Sequence, residues 1–293
     1  MKVSPQRAFS LLESVISLAI TSILMAMIGS FALSVKNISS HHSKRSEVIQ
    51  NLQGIINYLS LDARLAGENL APNFPAVLLS NSPLGSILTL RRSLSQFPLP
   101  LCQDISAGSS LTRILVAKNG LTENGCSVSA NLTAFNDWRN FVLSKGFPIR
   151  VYLYDFTARE GLFLPVQGFE MESDSLFLML TSPHTFDRSF RIPSSIIYLL
   201  EQLTIRRDNQ NRLLLNIDNE NLTYTLGFNV SSLNIQIQTG SGLRNTFTPA
   251  EDWTKIQVIN FELQSSLSLR DRILSETVNF RFLPRNVLSF NLR

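Results

Sequence analysis

The chain has 293 residues, 44% of them hydrophobic and only 16% charged, with a formal net charge of +4. That length allows one large or two small globular units beyond any anchor, and 26 basic against 22 acidic residues make a poor electrostatic trap for nucleic acid. Three histidines and two cysteines, with no ligand spacing among them, argue against a metal centre.

The first predicted element dominates the chain. Phe9 to Val35, FSLLESVISLAITSILMAMIGSFALSV, carries a single charge, Glu13. As a helix it would reach roughly 40 Å, enough to cross a bilayer core of about 30 Å. Eight residues precede it, MKVSPQRA, including Lys2 and Arg7. A basic leader of this kind keeps the N-terminus cytoplasmic and sends the rest of the chain outward. A carboxylate inside such a run costs a few kcal/mol, of order, at a membrane centre and calls for a partner. Cleavage between Ala8 and Phe9 would create one, because the new α-amino group lies one helical turn from Glu13. A secretory signal peptide has a shorter apolar core, about 7–15 residues, and no use for a Glu within it. A plain signal anchor gives Glu13 no role.

Arg7-Ala8-Phe9-Ser10-Leu11-Leu12-Glu13 resembles, position by position, the type IV prepilin leader, with Ala8 where that family usually has Gly. The resemblance implies that a prepilin peptidase cuts after Ala8 and N-methylates Phe9. It also implies that Glu13 pairs with the Phe9 amine of a neighbouring subunit during assembly.

Beyond Val35 the helical pattern continues through a polar junction, His41-His42-Ser43-Lys44-Arg45. From Glu47 the apolar positions Val48, Leu52, Ile55, Leu59 and Ala63 recur at spacings of three and four, one face of an amphipathic helix. Gly67, Pro72 and Pro75 stop it. One helix from about Phe9 to Ala66 would be roughly 85 Å long, and its second half must dock on a domain.

Asn69 to Ser110 reads as connecting loop with one short strand candidate, Ser86 to Arg91. Leu111 to Ala117 is a clear strand, and Asn136-Asp137-Trp138 is expected to open a short helix running to Ser144. Strand patterns then follow in succession: Ile149–Phe156, Gly161–Phe169, Ser175–Thr181, Ile196–Arg206, Arg212–Asn216, Thr223–Leu226, Leu233–Thr239, Lys255–Gln264 and Thr277–Leu283. Their spacing predicts antiparallel sheet and an α+β fold, a long N-terminal helix packed on a C-terminal antiparallel β-sheet domain. The expected divisions are a leader over 1–8, a transmembrane and assembly helix over 9–35, its amphipathic continuation over 36–67, and a β-rich domain over 68–293. Cys102 and Cys126, 24 positions apart, read on the exported side as one disulfide worth roughly 3 kcal/mol, or as two buried thiols.

Asp62-Ala63-Arg64-Leu65-Ala66-Gly67 is similar to the run that closes the long helix of PilW-type minor pilins. Looser matches follow at Tyr198-Leu199-Leu200, Leu203-Thr204-Ile205-Arg206, Val258 to Leu263 and Glu276 to Arg281. This resemblance implies a minor pilin that initiates or caps a type IV pilus, with the other major and minor pilins, the prepilin peptidase and the inner membrane as partners. Its location would be the inner membrane before assembly and the pilus or cell surface after. A pseudopilin of a type II secretion system would share the leader, and a membrane-anchored adhesin or DNA-uptake module would share the anchor.

No catalytic motif is present: there is no Gly-rich phosphate loop, no His-Glu-x-x-His and no G-x-S-x-G elbow. Neither an enzyme nor a cofactor is expected. His184 stands in Ser182-Pro183-His184-Thr185, which reads as a turn, and Asp155, Glu160, Glu170, Glu172 and Asp174 read as solvated turn carboxylates. Asp208 to Asn211 and Asp218 to Asn221 have calcium-like oxygen chemistry without calcium-loop spacing, and hairpin turns explain both. The basic doublets Lys44-Arg45, Arg91-Arg92 and Arg206-Arg207 are the candidates for touching DNA; scattered doublets of this kind usually sit at solvated edges.

Overall fold

The computed structural model describes residues 11–122, 125–146, 149–269, 272–284 and 286. The chain divides into two units, Met1–Gln50 and Asn51–Arg293. Helix α1 (Leu11–Leu65) makes up the described part of the first unit and contributes its last fifteen residues to the second. No proline falls within it, so its ladder of backbone bonds runs unbroken.

In the second unit α1 is followed by β1 (Val77–Ser82), β2 (Gly85–Ser93), β3 (Leu99–Pro100), β4 (Ser110–Lys118) and helix α2 (Val128–Lys145). Then come β5 (Ile149–Asp155), β6 (Glu160–Met171), β7 (Ser175–Thr185), β8 (Ser195–Tyr198), β9 (Leu200–Arg207), β10 (Leu213–Ile217) and β11 (Leu222–Gly227). The last four strands are β12 (Val230–Thr239), β13 (Gly242–Arg244), β14 (Ile256–Leu269) and β15 (Arg272–Phe282). They form three antiparallel sheets, in the orders β1-β2-β9-β10-β11, β3-β8-β5-β6-β7-β4 and β13-β12-β14-β15. The architecture is α+β, a long apolar N-terminal helix followed by an antiparallel β-sheet domain.

The end of α1 packs on the five-stranded sheet. Leu52, Ile55, Leu59, Ala63 and Ala66 are fully buried, as a docked 3.6-residue stripe requires. Asp62 and Ala66 share a recess with Leu90 and Arg92 of β2 and with Glu201 and Leu203 of β9. The Asn51 amide donates to the Phe228 carbonyl at 2.9 Å. The helix stops where Gly67 turns left-handed, φ +82°, and donates its amide to the Arg91 carbonyl at 2.8 Å.

The six-stranded sheet carries its own core beneath α2, where Trp138, Phe135 and Val142 are buried and the first two meet Val151, Leu153, Leu164 and Leu178. The Trp138 indole donates to the Phe97 carbonyl at 2.8 Å. Strand β5 is buried on both faces. Val151 and Leu153 face α2, while Tyr152 and Tyr154 join Phe74 and Tyr198 on the opposite side. The Phe74 ring lies 4.8 Å from those of both Tyr154 and Tyr198, and the Arg91 guanidinium reaches across from β2 to 5.2 Å over Tyr152. Cys102 and Cys126 form a disulfide, packed with Leu115 and Phe177.

Four local expectations change. Helix α2 starts at Val128 rather than Asn136, because Ser127 caps it by accepting the Ala130 amide at 3.3 Å. The Asn69–Ser110 stretch holds β1 and β3 as well as β2. Ile196–Arg206 is not one strand; it divides at Leu199 into β8 and β9, which belong to different sheets. Ser182 to Thr185 is no turn: it ends β7, where His184 pairs with Leu111.

Candidate assembly segment

The candidate site is the first unit's helix. Val15, Leu18, Ile23, Met27 and Phe31 are each more than half exposed, so the run turns apolar side chains outward in every direction. Thr21, Ser22 and Ser30 turn their hydroxyls back on the helix: Thr21 donates to the Ser17 carbonyl at 2.7 Å, Ser22 to Leu18 at 2.8 Å and Ser30 to Met27 at 2.8 Å. Polar groups bonded within the helix suit the requirement that hydrocarbon imposes, and α1 is long and apolar enough to cross a membrane.

Glu13 stands in the first turn of α1, exposed, where the positive end of the helix dipole favours a carboxylate. Ala8 and Phe9, with the whole 1–8 leader, lie outside the described residues. Past the apolar run, Lys44 pairs with Glu47 at 3.1 Å.

Several of the other charged groups singled out in the sequence are engaged within the fold. Arg91 donates to Gln202 at 2.6 Å and to the Pro75 carbonyl at 3.2 Å, and Arg92 pairs with Glu201. Arg207 donates to the Leu84 carbonyl at 2.7 Å and to Asn211 at 2.8 Å. Arg113 bridges Glu170 and Glu172 at 3.3 and 2.7 Å while lying 4.1 Å over the Phe177 ring. Glu160 takes Arg188 at 2.6 Å, and Asp174 accepts from the Ser175 hydroxyl at 3.1 Å.

Asp155 is not a solvated turn carboxylate: it is buried and accepts from the Thr157 and Ala158 amides at 2.7 and 3.0 Å and from the Ser194 and Ser195 hydroxyls at 3.0 and 3.1 Å. Burial alone would raise its pKa, but these four donors hold it below the ordinary carboxylate value. It ties the β5–β6 turn to the start of β8. Asp208 does the same for its own hairpin. Burial works against its charge, and the Arg212 amide at 2.8 Å, the Arg212 guanidinium at 2.7 Å and the Gln210 amide at 2.9 Å outweigh it, lowering its pKa. Asp218 accepts from Gln202 at 2.5 Å and Thr204 at 3.0 Å. Among the described residues no three His, Cys, Asp or Glu side chains converge as a metal site would require.

A second group went unmarked in the sequence. Asn234, Gln236 and Gln238 point from one face of β12, and the alternation Leu-Asn-Ile-Gln-Ile-Gln is the signal that would have found them.

Residues 3–29 match the family model described as the prokaryotic N-terminal methylation motif. No curated protein matches the chain. Among solved structures it is similar to the type IV-like pilin TTHA1219 from Thermus thermophilus, with 10% identity and a TM-score of 0.39 over 82% of this chain and 97% of that one. That likeness is too remote to carry an argument.

Proposed function

We propose that the chain is a minor pilin, a structural and non-catalytic subunit that helps initiate or cap a type IV pilus. The observation that carries the reading is the methylation-motif match over residues 3–29, which coincides with a continuous apolar helix bearing Glu13 in its first turn. In this reading residues 1–8 are the leader, prepilin peptidase cuts between Ala8 and Phe9, and Phe9 is N-methylated. The 9–35 segment holds the chain in the inner membrane with its N-terminus cytoplasmic. It then leaves the bilayer to pack among the apolar helices of other pilins, while 36–67 carries the helix to the 68–293 domain.

Glu13 is the directing charge. A carboxylate in an apolar helix bundle is retained only when paired, and the α-amino group of a neighbour's Phe9 is the cation that cleavage supplies. Glu13→Ala should leave the protein in the membrane and remove it from sheared pili, read by immunoblot of the two fractions. Equal incorporation of this variant would point to an anchored adhesin or DNA-uptake module. Deletion separates the remaining readings: a pilus subunit costs twitching, a pseudopilin costs secretion.

A further inference from the structure

The four-stranded sheet has one buried and one open face. Ile235, Ile237, Ile259, Phe261 and Leu263 point inward and are fully buried. The alternate positions face solvent, and the register sets them in two rows across three strands: Asn234–Glu262–Asn279 and Gln236–Asn260–Arg281. With Gln238 these side chains line an open trough of about 530 Å³, within the usual size range of a ligand site.

Folding does not explain this composition. Asn is a poor strand former, and a sheet face that only meets water is served as well by Thr, Lys or Glu. The two charges in the trough cancel. Glu262 and Arg281 are of opposite sign, and Glu262 already accepts from Asn234 at 3.1 Å. What remains is a set of primary amides, Asn234, Gln236, Gln238, Asn260 and Asn279; Gln236 donates one N–H to Asn245 at 3.0 Å, and a primary amide has a second N–H and a carbonyl oxygen to offer. Hydroxyl groups suit such amides because a single hydroxyl also both donates and accepts. The strands are about 4.8 Å apart, close to the width of a pyranose ring. At the margin Leu243 of β13, 60% exposed and paired beside Gln238, gives an apolar surface for the C–H face of a sugar. A protein partner would want a large apolar or aromatic centre, which neither row supplies.

We propose that this trough binds a neutral oligosaccharide chain, independently of how the protein is anchored or assembled. The test uses the full chain in a phosphocholine detergent, which carries no sugar, titrated calorimetrically with cellohexaose, maltohexaose, chitohexaose and mannohexaose. At least one should bind with a Kd of about 1 mM or tighter. The double variant Gln236→Ala/Asn260→Ala should weaken it about tenfold or more, and its melting curve reports that the fold is intact because both side chains point outward. Gln53→Ala, on the exposed flank of α1, should leave binding unchanged. The proposal is overturned if none of the four binds at about 10 mM or if the double variant binds as well as the parent. It is also overturned if heparin, an acidic polysaccharide, binds in their place and is lost with Arg281→Ala.

Discussion

Gly67 and Trp253 occupy adjoining space: a β-carbon on Gly67 would stand only 2.2 and 2.3 Å from two carbons of the indole ring. Gly67 is also the residue that ends α1, in the left-handed region at φ +82°. Helix termination and packing of the helix end on the β domain therefore meet at one residue without a side chain. Gly67→Ala should destabilise the protein by about 2–4 kcal/mol, the left-handed strain and the displaced ring adding together. Thermal unfolding of the detergent-solubilised chain measures this, and an unchanged midpoint would mean the helix end is free to move away from Trp253.

One turn earlier, Asp62 lies in the recess with Arg92 and Glu201. Burial pushes its carboxyl above the ordinary value of 3.8; Arg92 opposes this, and Glu201 adds to it. A raised folded-state pKa means that the contribution to stability is fully present below pH 3.8 and is lost as the pH rises through the folded value. Asp62→Asn should therefore melt above the parent at pH 7, with the difference vanishing near pH 3. Arg92 keeps Glu201 as its partner in the variant. A lower midpoint at pH 7 would show that Arg92 holds the charged form of Asp62 instead.

Tyr154 is buried against Phe74, and its hydroxyl has no hydrogen-bond partner among the described residues. Burial, helped by Tyr152 beside it, pushes its pKa up to about 12. Removing an unpaired buried hydroxyl is neutral or favourable, so Tyr154→Phe should hold or raise stability by up to about 1 kcal/mol. A loss of that size in chemical denaturation would mean the hydroxyl is paired in solution.

The Cys102–Cys126 bond closes a loop of sequence separation 24 and ties the chain ahead of β4 to the cap of α2. Replacing both cysteines by serine should cost about 3 kcal/mol by loop entropy. The parent should show the same loss with reductant, while the double variant should not respond to it.

Most of the β domain and all of the long helix are legible in the sequence because their signals are local. The spacings of three and four from Leu52 to Ala63 depend on one buried face, and Gly67 depends on one dihedral angle. Ile196–Arg206 defeats the same reasoning. Ile197, Tyr198, Leu199 and Leu200 are all buried, so nothing in the alternation marks the passage from one sheet to another at Leu199. The start of α2 is obscured by Ser127, Ser129, Asn131 and Thr133, which look like loop and instead serve as cap and first turns. Asn131 donates to the Gly125 and Ser127 carbonyls at 2.5 and 3.0 Å. The Pro and Asn content around Val77–Ser82 hides β1, which is defined by its pairing with β2 and by the bridge from Leu79 to Phe247. In the candidate assembly segment Glu13 draws attention for a different reason: one charge in an apolar run stands out whatever the fold.

The measurement closest to the central claim is the N-terminal residue and intact mass of the protein extracted from membranes. The account predicts a chain that begins with N-methyl-Phe9, having lost the eight residues that end in Ala8. A chain beginning at Met1, or just after the small-x-small run Ser30-Phe31-Ala32 where a signal peptidase would cut, would contradict the account and leave no Phe9 amine for the proposed pairing with Glu13.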